Sequence, residues 1–264
     1  MTFLGPALPD LRVRRRRAEL MDDPELDAGR HRRALQALAR INRISLTGWR
    51  LWQEVRDLHH RHGEPLRVLA VACGGGDVVV WVAARVGRAG MGVQVDGCDV
   101  SPRALDDARK RWEGAMPSQA GALQGADASE AVGPTTCGPR FFRVDALRHP
   151  LPEGYDLVTS SLFLHHLERG EAVALLRRMA DACRRRLLVQ DLRRTRLGYV
   201  LAWLGLHTLT RSDVARTDGL RSVEAAFTRD EVVELCHEAG LTGAVVSSGW
   251  PQRWIVRWDR EPAE

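Results

Sequence analysis

Apolar positions along the chain follow two rhythms that alternate. Between residues 22 and 45, Leu35, Leu38, Ile41 and Ile44 recur at three- and four-residue spacing, which predicts a helix. Asp22 or Asp23 is placed to cap it, and Pro24 suits its first turn. A second helix is predicted over residues 46–63, with Trp49, Trp52, Val55 and Leu58 inward. Short continuous apolar runs then take over: "LRVLAVAC", "GVQVDGCDVS", "RFFRVDAL", "YDLVTSSLFL" and "RRLLVQDL" each read as a strand. Helical periodicity returns between most of them, in "VVVWVAARVGRAG", ending at Gly87 or Gly90, in "PRALDDARKRWEGA", with Pro102 in its first turn, and in "ERGEAVALLRRMADACR". Residues 193–226 form an extra helical segment. Thr228 caps a last helix that stops at Gly240, and "TGAVVSSGWPQRWIVRWD" supplies two closing strands.

Strands alternating with helices over this length predict an α/β fold with a doubly wound, Rossmann-like, mostly parallel sheet. The final pair of strands predicts an antiparallel hairpin at one edge. Residues 1–64 are expected to form a basic arm and an N-terminal helical extension, and residues 65–264 the main domain. Residues 114–139 are rich in Gly, Ala, Ser and Pro and lack periodicity, so they read as a flexible insertion.

Composition changes this picture little. An apolar fraction of 44% over 264 residues is enough for a sizeable core. Five scattered cysteines with no C-x-x-C pair signal neither a disulfide framework nor a zinc site, which suits a reducing cytoplasm. No signal-peptide core or spanning run is present. The formal charge of +5 comes almost wholly from arginine, Lys110 being the only lysine. A bias this complete reads as codon usage, and "RVRRRR" as a solvated, mobile terminus; an RNA- or membrane-attracting arm is the competing reading.

The chemistry sits at the strand ends, where open parallel sheets bind ligands. "VLAVACGGGD" runs a strand into glycines. A dinucleotide turn wants G-x-G-x-x-G, and here Gly74 and Gly76 fit but Val79 holds the third place. A phosphate-binding P-loop wants a lysine after Gly76, and none follows. Asp99, ending the second strand, can accept from both ribose hydroxyls. Asp145, ending the third, can accept from an adenine amino group, with small Ala146 leaving room for the ring. An adenosine ligand without a phosphate clamp is the simplest reading.

In order and placement, "VLAVACGGGD", "GCDVSP", "FFRVDALRHPLP" and "YDLVTSSLFLHHL" resemble the class I S-adenosylmethionine-dependent methyltransferases, most closely the branch of ubiquinone, menaquinone and small-molecule O-methyltransferases. The resemblance covers about residues 66–192. It implies the seven-stranded methyltransferase fold, S-adenosylmethionine as cofactor and S-adenosylhomocysteine as product. It further implies that Ala72, Cys73, Gly74 and Gly76 approach the methionine and ribose, that Asp99 holds the ribose, and that Val100 flanks the adenine. Asp145 and Ala146 then receive the adenine edge, and Ser160, Ser161 and Leu162 floor the site near the sulfonium. The chain departs from the pattern at Ala70, where the family has an acid, and at Ala72, where it has a glycine. Asp77, at the following helix start, is placed to compensate for the acid or simply to cap that helix.

Methyl transfer from a sulfonium needs chiefly alignment, and a phenol or enol acceptor gains from a base. His165, His166 and His207 are the candidate bases. "LGYVLAWLGLHTL" is apolar on nearly all faces and is expected to be a lid over an aromatic or lipid-like acceptor, with Tyr199, Trp203 and His207 contacting it. A helix lying on an anionic membrane, or one buried against the N-terminal pair, are the other readings. No amino-group or cytosine-C5 methyltransferase motif occurs, no metal site is signalled, and no nucleic-acid partner is expected. The expected activity is methylation of a small hydroxylated aromatic, polyketide-like or quinone-precursor acceptor, oxygen slightly ahead of carbon. The expected form is a cytoplasmic monomer or homodimer, peripheral to the inner membrane face on the membrane reading. An RNA or protein methyltransferase, or an inactive methyltransferase-like binding module, are the alternatives.

Overall fold

A computed structural model describes residues 8–23, 25–63, 65–115 and 138–260. Most of the predicted insertion at 114–139 lies outside them, as does Pro24.

Two amphipathic helices, α1 (Ala28–Ile44) and α2 (Thr47–His62), precede the sheet. The cap of α1 is neither Asp22 nor Asp23 but Asp27, whose carboxylate accepts from the Arg30 amide at 2.8 Å. It is the acid immediately before the periodic stretch, so it alone can reach the first-turn amides. The alternating units follow in order: β1 (Leu66–Val71), α3 (Asp77–Arg88), β2 (Val93–Asp99), α4 (Pro102–Ala115), β3 (Phe141–Arg143), β4 (Tyr155–Ser161), α5 (Arg169–Ala182) and β5 (Cys183–Leu192). The chain closes with α6 (Arg196–Leu209), α7 (Asp213–Ala225), α8 (Arg229–Glu238), β6 (Val245–Gly249) and β7 (Arg253–Asp259).

The seven strands lie in the order β3-β2-β1-β4-β5-β7-β6. Only β7 runs antiparallel to its neighbours, slotting between β5 and β6. Alternate side chains feed two cores: Leu69 and Val71 join the α5 and α8 side, whereas Val68 and Ala70 join the α2, α3 and α4 side. Strand order reverses at β1, which pairs with β2 on one side and β4 on the other. Ligand crevices form at such a reversal, beyond the strands' carboxyl ends.

Gly76 fixes the approach of α3 to this crevice. Its φ is +67°, and a Cβ there would sit 2.6 Å from the Ala108 Cβ. Left-handed strain and overlap with α4 together should make Gly76→Ala destabilising by about 2 kcal/mol. Thermal unfolding of the variant checks this; an unchanged midpoint would contradict the packing described.

Residues 8–23 are hydrogen-bonded to the main domain. Arg14 donates to the carbonyls of His165, Leu167 and Ala225, and its guanidinium lies 3.9 Å over the Phe227 ring. The Arg15 amide donates to the Glu224 carbonyl, and the Leu20 and Met21 amides donate to Asp218. Two arginines of the run that read as solvated charge, Arg14 and Arg16, instead donate to carbonyls at the end of α7 and around a 3-10 turn, Leu164–His166.

Candidate active site

Between β1 and α3 the backbone turns left-handed three times in five residues, at Ala72 (φ 53°), Gly74 (φ 53°) and Gly76 (φ 67°). Ala72 therefore holds a glycine-like conformation with a methyl group, at a cost of about 1 kcal/mol. Leu162, just past β4, does the same at φ 56°. Both line one large cavity, and backbone strain of this kind concentrates at ligand sites.

That cavity has a volume of about 1310 Å³, more than a single small ligand fills. The glycine turn forms one wall. The Gly74 amide donates to Asp99 Oδ2 at 2.8 Å, and the Ser101 amide donates to Oδ1 at 2.9 Å. The carboxylate is thus fixed at the end of β2 with a further lone pair on each oxygen. Asp145 is fixed likewise, Oδ1 accepting from the Leu147 amide at 3.0 Å. Val100, half exposed, and Ala146, buried, also line the cavity. Ala72, Cys73, Gly74, Asp77, Asp99, Val100, Asp145, Ala146, Ser161 and Leu162 all line the cavity, so the structure brings together most of the residues expected to hold a nucleoside. Gly76 does not; it lies beneath, packed on α4. Ser160 is buried against an adjoining void of about 40 Å³.

Burial pushes the Cys73 thiol well up, with Asp99 adding to the effect, which disfavours its thiolate. Asp77 accepts from Asn42 Nδ2 at 3.0 Å, and burial raises its carboxyl against the pull of that bond.

The histidines separate clearly. His165 is buried, with Nδ1 2.7 Å from Asp191 Oδ1 and its amide donating to Asp191 Oδ2 at 3.0 Å. Its Nε2 lies 3.7 Å from Glu19 Oε1, in the cavity wall. Burial opposes its charge, but Asp191 and then Glu19 outweigh burial and raise its pKa. His166 also lines the cavity, 3.9 Å from Glu19 Oε2. Burial, then the neighbouring His165, depress it to about 3, so it stays neutral and weakly basic. His207 lies apart from this pair. It is exposed, stacks on Trp203 at 4.6 Å and does not line the cavity.

Helix α6 corrects a second expectation. Gly198, Leu201, Ala202, Gly205, Leu206 and Leu209 line the cavity, a stripe at three- and four-residue spacing. Tyr199 and Trp203 lie off that stripe, as His207 does. They read as ligand groups by chemistry, yet the stripe that faces inward is built of small and aliphatic residues. Leu197 and Leu204 are exposed on the far side. No helix among the described residues is long and apolar enough to cross a membrane.

Two cavity groups escaped the sequence reading, Glu19 and Arg253, as did Asp191, which stands behind His165. Asp191 carried a usable signal, an acid at a strand's carboxyl end in "VQDL". Glu19 and Arg253 carried none, because only the fold brings the arm and the last strand to this place.

No curated protein sequence matches the chain. Among solved structures, a Nostoc punctiforme protein assigned to the O-methyltransferases superposes with a TM-score of 0.55 at 18% identity. That match covers 86% of this chain and 60% of the Nostoc protein's length. The magnesium protoporphyrin IX methyltransferase of Synechocystis PCC 6803, with bound SAH, gives 0.53 at 16% identity and covers 90% of each chain. The plantazolicin methyltransferase BpumL, in complex with SAH, gives 0.59 at 12%, covering 90% of this chain and 92% of its own. Likeness at such identities speaks to the fold. The profile of the methyltransferase-domain family matches residues 69–186. The family profile thus matches a little under half of the chain, and the seven-stranded sheet has the class I methyltransferase fold.

Proposed function

We propose that this protein transfers a methyl group from S-adenosylmethionine to a small, largely apolar hydroxylated acceptor. The observation that carries this reading is the continuity of the cavity. One end offers the two fixed carboxylates of Asp99 and Asp145 beside the glycine turn, and the other is walled by the apolar stripe of α6 with Ile41, Ile44 and Trp250. The acceptors of a ribose and an adenine edge are thus present. The family match supports the same chemistry.

The cofactor supplies a methyl group already activated by its sulfonium. Asp99 and the Gly74 turn hold the nucleoside end, while the α6 stripe and α1 exclude water from the acceptor. His165, oriented through Nδ1 by Asp191, presents Nε2 to the cavity as the proton acceptor for a hydroxyl. His166 is the weaker base, since a second charge beside His165 is disfavoured. Oxygen is the favoured acceptor atom because a base at this place serves a hydroxyl. The acceptor class proposed is a phenolic, polyketide-like or quinone-precursor molecule, with the protein acting as a monomer or homodimer away from nucleic acid.

Ala202→Trp tests the acceptor lobe. A bulky ring in the α6 stripe should raise KM for phenolic and polyketide acceptors about tenfold and leave the dissociation constant for S-adenosylhomocysteine unchanged. Equal KM values would place the acceptor elsewhere. Transfer of label to none of a broad acceptor panel by protein that binds the cofactor would overturn the enzymatic reading.

A further inference from the structure

The cavity floor carries a group that the proposed chemistry leaves unused. Arg253, on β7, is only 1% exposed, yet its guanidinium makes a single hydrogen bond, Nη1 to Thr47 Oγ1 at 2.6 Å. Nε and Nη2 are buried without a partner, and the residue lines the cavity. A buried guanidinium with two donor positions unmet is costly, and burial drags its pKa down to about 10. Such a cost persists where a ligand repays it. The acids that act on it are Asp191 and Asp77, with Arg50 opposing.

Asp77 is the second half of the arrangement. A chain of hydrogen bonds links the two charges across the α1–α2 junction. Arg253 donates to Thr47, Thr47 Oγ1 donates to Asn42 Oδ1 at 3.4 Å, and Asn42 Nδ2 donates to Asp77 Oδ2. A fixed cation and a fixed anion thus stand at one cavity wall, held apart by two neutral side chains. Next to Asp77 lies the void of about 40 Å³, floored by Ala70 and lined by Thr159 and Ser160. Both hydroxyls are buried without partners. The void is large enough for a water or an ammonium group, and its lining of hydroxyls and a carboxylate suits a cation. The methyl group of Ala70 leaves that space open, where an acid on the strand would fill it.

We infer that Asp77 and Arg253 form a two-ended clamp for the α-amino-acid end of the cofactor. Asp77, with Thr159 and Ser160, takes the ammonium, and Arg253, through Nε and Nη2, takes the carboxylate. This inference rests on the S-adenosylmethionine reading above. It replaces the strand acid missing at Ala70 by a helix acid and adds an arginine from the far edge of the sheet. The consequence is selectivity: the protein distinguishes a nucleoside bearing an intact amino acid from one without it.

Calorimetry on the full chain tests this with two probes, S-adenosylhomocysteine and 5′-methylthioadenosine, which shares the nucleoside and thioether but lacks the amino acid. The wild type should bind the first at least 100-fold more tightly. Asp77→Asn and Arg253→Lys should each weaken S-adenosylhomocysteine at least tenfold while leaving 5′-methylthioadenosine within twofold. Unchanged binding of the second probe also reports an intact fold, and Asp77→Asn alone decides the matter if Arg253→Lys does not fold. Equal losses for both probes, no loss for either, or an Arg253→Lys effect confined to acceptor KM would overturn the clamp. Failure of the wild type to bind either probe would instead overturn the cofactor reading, and the clamp with it.

Discussion

Asp99→Ala is expected to weaken S-adenosylhomocysteine binding at least 100-fold, about 3 kcal/mol. Two effects add. The substitution removes the acceptors proposed for the ribose hydroxyls, and charged hydrogen bonds of this kind contribute about 1.5–3 kcal/mol. It also frees the Gly74 amide, which Asp99 Oδ2 now holds at 2.8 Å, and so loosens the glycine turn that faces the ligand. Asp99→Asn should fall between wild type and Ala, because one oxygen survives to restrain the turn. Titration calorimetry on all three proteins checks the order. Equal affinity in the wild type and Asp99→Ala would remove the nucleoside from this end of the cavity.

Asp191→Asn is the second large effect, expected to lower kcat roughly 100-fold with little change in cofactor affinity. Asp191 positions His165 and raises its pKa; it does not itself reach the cavity ligand. The pH dependence separates this role from a merely structural one. His165 is raised above its ordinary value of 6.5, so wild-type activity should climb as pH rises through a value higher than 6.5. Loss of the Asp191 charge leaves burial to pull His165 down, and the climb should move to lower pH. A profile that keeps its midpoint would exclude His165 as the base. Stability follows the same pair. Asp191 is lowered from 3.8, burial working against the larger combined pull of His165 and two amides. The ion pair therefore stabilises the fold fully between about pH 4 and 6.5. That contribution is lost as pH rises through the folded value of His165, and as pH falls through that of Asp191.

Legibility in the sequence followed the range of each interaction. Asp99 and Asp145 were readable because each sits at a strand end and is fixed by amides two residues onward or by the glycine turn. Gly90, ending α3, and Thr228, capping α8 with Glu231, were readable for the same reason. The His165–Asp191 pair spans β4 and β5, and Glu19 reaches it from the arm; neither distance shows in a local window. The arginine run hid its partners because charge density says nothing of them: Arg14 and Arg16 donate to carbonyls 150 residues or more away. Helix α6 misled differently. A helix apolar on nearly all faces gives no direction, so the residues with evident ligand chemistry, Tyr199, Trp203 and His207, stood out, while the stripe turned inward by packing is aliphatic.

The departures at Ala70 and Ala72 now have a structural setting. Ala72 keeps the left-handed turn that a glycine would take, and Ala70 opens the small void that Asp77 borders. The central claim is that this cavity binds an S-adenosyl cofactor at the Gly74 turn and Asp99. Its most direct test is titration of the full chain with S-adenosylhomocysteine. The expected result is saturable one-to-one binding in the micromolar range that Asp99→Ala weakens at least 100-fold. No heat at high micromolar ligand would contradict it and leave the fold serving as a binding module for something else.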